Sequence, residues 1–145
     1  MVKALVLDAS VAIKTVLPNP LQENCRELVK TFVDVQPVAP SLWAYETTSA
    51  ITKLVHFQQL TQEQARSVID QLESLQVQLV TPNAELNLAA FDWTIRLNRA
   101  AAYDSYYLAL AQTLNCPVWT ADKRLFNALS DNRPDWLQWI EELVV

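Results

Sequence analysis

Apolar positions along the chain alternate between short continuous runs and stripes at helical spacing. Lys3–Leu7 is a brief run rich in Val and Leu that ends at Asp8, and it predicts a buried strand. Val11–Val16 suits a short helix that stops before Pro18. Leu21, Cys25, Leu28, Val29, Phe32 and Val33 recur at helical spacing and predict a helix over Leu21–Asp34. Pro37-Val38-Ala39 reads as a short extended piece. A helix then runs from Leu42 to about Gln58, and Thr61-Gln62-Glu63-Gln64 has the form of a capping box opening a helix to about Leu75. Val77–Val80 predicts a second strand, and Asn83 can cap a helix through about Leu97. The rest reads as helix over Asp104–Leu114, strand over Pro117–Thr120 and helix over Asp122–Leu129. Trp136–Ile140 is a last strand, with a helical tail through Glu141-Glu142 as the competing reading.

Strands separated by helices imply an α/β domain whose parallel sheet carries helices on both faces. A length of 145 residues fits one domain, with no repeat, linker or low-complexity tract. In open sheets of this kind, sites form outside the carboxyl ends of the strands. The polar residues expected there therefore matter most.

Composition narrows the chemistry. The chain has no glycine, which excludes a Walker loop and a dinucleotide fingerprint, both of which need glycine for close backbone approach to phosphate. Turns fall to Asn, Asp and Pro, as at Pro18-Asn19-Pro20, Pro82-Asn83, Asn115-Cys116-Pro117 and Asp131-Asn132-Arg133-Pro134. Cys25 and Cys116 stand far apart in no CxxC pattern, so neither a disulfide framework nor a zinc site is expected. No apolar run approaches the roughly 20 residues that span a bilayer. The first apolar run meets Asp8 too early for a signal peptide, so the expectation is a cytoplasmic protein with no membrane partner. A net charge of −5 opposes contact with a polyphosphate, unless several acids share divalent cations. Two such ions would supply about four positive charges where phosphate must approach.

Four acids are candidates. Asp8 directly follows the first strand, and Asp122 follows the strand ending at Thr120. Asp104 shares a helix face with Leu108 and Ala111, at the end of a buried stripe, where a carboxylate needs a cation or hydrogen-bond donors. Each of these three has helix capping as its alternative. Glu46 lies mid-helix between Leu42 and Ala50, on a stripe continuing through Leu54 and Phe57, so capping does not explain it; a buried ion pair does compete. Clustered carboxylates without a paired Cys/His set suit hard cations such as Mg²⁺ or Mn²⁺. His56, the one histidine, reads as a surface or structural residue, and the five tryptophans read chiefly as core, though an exposed ring would stack on a base. Ser10 lacks a histidine base to make it a nucleophile, so an accessory role beside the acids is expected, as for Thr120. Lys14, Arg99, Lys123 and Arg124 lie near the acids in sequence and are candidates for a phosphate-binding rim; solvated surface charge is the competing reading.

Strand-Asp8-Ala9-Ser10, Glu46 in the third helix, Tyr103-Asp104-Ser105-Tyr106-Tyr107-Leu108-Ala109-Leu110-Ala111 and Thr120-Ala121-Asp122 together resemble the PIN domain, and at this length its VapC-type toxin branch. The resemblance covers essentially the whole chain, residues 1–145. It implies a three-layer α/β/α sandwich around a central, mostly parallel sheet. It implies that Asp8, Glu46, Asp104 and Asp122 are metal-binding catalytic acids, with Ser10 and Thr120 as accessory hydroxyls. It further implies Mg²⁺- or Mn²⁺-dependent endoribonuclease activity on RNA, a homodimer, and inhibition by a cognate VapB-type antitoxin. Two alternatives stay open: a non-catalytic module acting through protein or RNA contacts, and a nuclease cutting DNA. A phosphoacceptor receiver fails for want of an acidic pair at Asp8, and a haloacid-dehalogenase phosphatase fails because Asp8-Ala9-Ser10 is not Asp-x-Asp.

Overall fold

A computed structural model describes residues 3–99 and 102–143. Five strands, β1 (Lys3–Leu7), β2 (Val35–Pro40), β3 (Gln78–Val80), β4 (Val118–Thr120) and β5 (Leu137–Trp139), form one sheet in the order β3-β2-β1-β4-β5. All four pairings are parallel. Helices α1 (Ala9–Val16), α2 (Gln22–Lys30), α3 (Leu42–His56) and α4 (Gln62–Ser74) pack on one another. Helices α5 (Ala84–Arg96) and α6 (Tyr103–Leu114) pair with each other, and α6 lies along β1 and β2. Helix α7 (Lys123–Ala128) follows β4. The sheet is thus the middle of a three-layer α/β/α sandwich, as expected.

The sequence explains these elements. Val6 and Leu7 are fully buried, which is why β1 is a continuous apolar run rather than an alternating one. β2 extends beyond the three residues expected and contains Pro37. Pro37 pairs with Leu5 of β1 but lies outside the stretch matched with β3, which begins at Val38, so its missing N–H costs no bond on that side. The capping box on α4 is complete: the Thr61 N–H donates to Gln64 Oε1 at 2.9 Å, and the Gln64 N–H donates to Thr61 Oγ1 at 3.1 Å. Asn83 caps α5 by accepting the Leu86 N–H at 2.8 Å.

Three expectations shift. The helix from Leu21 tightens into a 3₁₀ turn over Thr31–Val33, closed by the Asp34 N–H donating to the Thr31 carbonyl at 3.0 Å. The two readings of the last segment are both realised, as strand Leu137–Trp139 followed by a 3₁₀ turn over Ile140–Glu142. The buried face of α3 is Trp43, Thr47 and Ile51, one position round from the stripe read through Leu42, Ala50 and Phe57. Phe57 is 67% exposed.

The absence of glycine shows in the backbone. Left-handed conformations beyond the ends of α3, α4, α5 and α6 are taken by Gln58, Gln76, Asn98 and Asn115. Each lets the chain reverse where a glycine would cost less.

Candidate metal centre

Strands β1, β2 and β3 step outward in one direction, and the chain then returns to place β4 on the other side of β1. The carboxyl ends of β1 and β4 therefore flank the topological switch point, where open α/β sheets leave a crevice. Asp8 comes off β1 there, and Asp122 comes two residues after β4. Helix α3 brings Glu46 to the same place, and the first turn of α6 brings Asp104. Electrostatic coupling shows the convergence. Asp8 is repelled by Glu46 and Asp104, Glu46 by Asp104 and Asp122, and Asp104 by Asp122.

Asp8 is the most enclosed acid, 6% exposed. It is the N-cap residue of α1 by backbone geometry, yet its side chain makes no capping bond. Instead Oδ2 accepts from Ser10 Oγ at 2.6 Å and from Thr120 Oγ1 at 2.7 Å. These hydroxyls also bind backbone: Ser10 Oγ accepts the Ala121 N–H and Thr120 Oγ1 accepts the Asp122 N–H, each at 3.0 Å. Two side chains thus tie the end of β1 to the end of β4 and fix one oxygen of Asp8. Burial dominates and pushes the Asp8 carboxyl up to about 7; the two hydroxyls oppose this, and Glu46 and Asp104 add to it.

Asp104 is the second residue of α6 and makes no cap bond either. Its Oδ2 accepts from Arg99 at 3.2 Å, while the other arm of that guanidinium donates to the Arg124 carbonyl at 3.1 Å. Arg99 is set in place by the end of α5, where its N–H bonds back to the Thr94 carbonyl at 3.2 Å. Burial raises Asp104 above the ordinary carboxylate range, as does Asp122; Arg99 and Arg124 pull it back. Glu46 is half-buried and is raised chiefly by burial. Among the described residues no arginine forms an ion pair with it. Its Oε1 accepts from the Tyr107 hydroxyl at 2.6 Å. Asp122 does cap its helix, with Oδ1 accepting from the Arg124 N–H at 3.0 Å and the Leu125 N–H at 3.4 Å. Capping is therefore the side chain's observed work only at Asp122.

The four acids and both hydroxyls of the sequence reading are thus brought together. The four bases are not. Arg99 and Arg124 bear on Asp104, whereas the charge of Lys14 bears on Cys25 of α2, and Lys123 is exposed at the start of α7. Arg99 is an internal ion partner, with 27% of its side chain exposed. None of the five tryptophans is exposed, so none offers a free ring; His56 is exposed at the end of α3. Tyr107, as partner of Glu46, was not singled out from the sequence, and Arg99, expected at a phosphate-binding rim, is instead the partner of Asp104. Tyr107 lies three residues after Asp104, so the helical period places it on the same face. A 570 Å³ apolar cavity lies at the opposite end of the sheet, against Leu5, Val35 and Cys116, away from the acids.

Among the described residues, no three His, Cys, Asp or Glu side chains are arranged to cage a metal ion directly. Asp8, Glu46 and Asp104 each give one oxygen to a protein donor, which leaves the other. That donor set, all oxygen and mutually repelling, fits a hard cation that keeps several waters and takes one or two carboxylates. It does not fit a dehydrated zinc cage.

Comparison with known proteins bears on the family and the fold. Ribonuclease VapC1 of Mycobacterium tuberculosis is 34% identical over 87 residues, covering 60% of this chain and 63% of that relative, so the chain spans less than two thirds of VapC1's length. Ribonuclease VapC9 of the same organism is 31% identical over 121 residues, 83% of this chain and 87% of the relative. The structure of VapBC2 from Rickettsia felis bound to a promoter DNA fragment superposes with a TM-score of 0.66 at 12% identity, covering 94% of this chain and 96% of that one, a likeness of fold. The PIN domain model matches residues 5–131, from β1 to just beyond α7, and the chain belongs to the PIN-domain family.

Proposed function

We propose that the chain is a divalent-metal-dependent endoribonuclease, the toxin of a VapBC-type pair, in which residues 1–145 act as one catalytic domain. The convergence of Asp8, Glu46, Asp104 and Asp122 at the switch point carries this reading. The ribonuclease names of VapC1 and VapC9 support it. PIN-domain ribonucleases are in general divalent-metal dependent.

Asp8, Glu46, Asp104 and Asp122 would hold Mg²⁺ or Mn²⁺. A cation held by these residues would supply acidity to a bound water and positive charge for the phosphate and the leaving 3′ oxygen. The protein's own part is positional. Ser10 and Thr120 fix Asp8 in one rotamer, and the cap bonds of Asp122 leave its second oxygen free. Arg99 holds Asp104 against α7. Arg124 and Lys123, at the opening of α7, remain candidates to meet the RNA backbone, as does Lys14 from α1. Products carry 5′-phosphate and 3′-hydroxyl ends. The fold likeness to VapBC2 supports a small antitoxin as partner, and the VapC resemblance supports a homodimer in the cytoplasm. No helix of the described residues is long and apolar enough to cross a membrane.

The test is cleavage of RNA, with a DNA of the same sequence alongside, in Mg²⁺ or Mn²⁺ with and without chelator. Cleavage of RNA that needs metal and is abolished by Asp8→Asn and by Asp104→Asn is expected. Equal cleavage by either variant would overturn the site, and preferential cleavage of DNA would overturn the substrate.

A further inference from the structure

Tyr107 is fully buried, yet its hydroxyl reaches out of the α6 core to the acid cluster. It donates to Glu46 Oε1 at 2.6 Å. The backbone of Ala9, in the first turn of α1, lies close enough to the same phenol to act on its charge. One side chain on α6 thus bonds to α3 at Glu46 while lying beside the start of α1, the helix that follows Asp8.

Glu46 needs such a brace more than the other acids do. Asp8 is walled in and held by two hydroxyls, Asp104 by Arg99, and Asp122 by its own helix. Glu46 is half-buried in the middle of α3, beside rather than within the buried face of Trp43, Thr47 and Ile51. Its long side chain has rotamers that lead to solvent. A donor on Oε1 selects the rotamer that turns the carboxylate to Tyr107 and leaves Oε2 clear of that bond.

We infer that Tyr107 is a positioning residue, which holds Glu46 Oε1 so that Oε2 is presented to the divalent cation. This rests on the metal-binding reading above and names a residue through which it acts. Removing only the phenol oxygen keeps the ring that fills the core. Partners of metal-ligating side chains are typically worth 10–100-fold in affinity. Tyr107→Phe should therefore weaken Mn²⁺ binding about 10-fold, the low end, because Glu46 is one ligand among several.

The experiment is direct Mn²⁺ titration of the full chain by calorimetry. It uses wild type, Tyr107→Phe, Glu46→Gln, the double variant, and Tyr106→Phe. Tyr106 is the adjacent tyrosine, whose hydroxyl donates to Asn87 rather than to an acid. The expected result is weakened binding in Tyr107→Phe, no further loss when Tyr107→Phe is added to Glu46→Gln, and unchanged binding in Tyr106→Phe. A general packing role would instead weaken binding additively in the double variant, which overturns the inference. Wild-type affinity in Tyr107→Phe overturns it too and leaves the metal site standing. Failure of the wild type to bind Mn²⁺ overturns both.

Discussion

Asp8→Asn should stabilise the metal-free protein at and above neutral pH, although it removes the most enclosed of the proposed ligands. The Asp8 carboxyl is held near 7 in the folded chain against 3.8 ordinarily, with burial as the main cause. It binds its proton more tightly folded than unfolded. The stability it contributes is therefore full below about pH 4 and is lost as the pH climbs through 7. At 1.36 kcal/mol per pH unit, that difference is about 4 kcal/mol, of which about 3 kcal/mol falls between pH 5 and pH 8. An asparagine does not titrate, and its amide oxygen can still accept from Ser10 and Thr120. Urea unfolding of both proteins in chelator, at pH 5 and at pH 8, gives the comparison. The variant should gain about 3 kcal/mol on wild type across that interval. Added Mn²⁺ should restore wild type at pH 8 and leave the variant nearly unmoved. Parallel stability curves, or a wild type that gains on the variant as the pH rises, would refute the claim that Asp8 is buried at an energetic cost.

Other consequences follow from local geometry. Arg99→Gln removes the guanidinium that pulls Asp104 down, so the Asp104 carboxyl should titrate higher, read by carbon-13 NMR; an unchanged or lower value would contradict the pairing. Gln76→Gly relieves a left-handed residue after α4 and should raise unfolding stability by about 0.5–1 kcal/mol in urea, whereas a loss would mean that the Gln76 side chain makes up for its backbone.

Much of the fold was legible because the strong signals are local. The Thr61 box and the Asn83 cap act within three residues, and the central strands are apolar on both faces, so each showed as a pattern. Helix ends were less legible, since the change to a 3₁₀ turn at Thr31–Val33 rests on a single backbone bond that no periodicity reports. The candidate acids were legible as types at strand ends and on helix faces. Their partners were not. The Ser10–Asp8–Thr120 bridge joins residues 112 apart in sequence, and Tyr107–Glu46 joins residues 61 apart, so both depend on packing. Glu46 was singled out by way of an apolar stripe that proves one position off. The residue converges with the other acids because α3 rotates Trp43, Thr47 and Ile51 inward and leaves Glu46 at the border. The rim of basic residues was read from sequence proximity, which does not report direction: Arg99 turned inward to Asp104, and Lys14 lies by Cys25.

Anomalous diffraction from crystals grown in Mn²⁺ would locate the ion itself. A manganese peak is expected at the carboxyl ends of β1 and β4, within ligand or water-bridged reach of Asp8, Glu46, Asp104 and Asp122, and lost in Asp104→Asn. A manganese-free cluster, or a peak that persists unchanged in that variant, would contradict it.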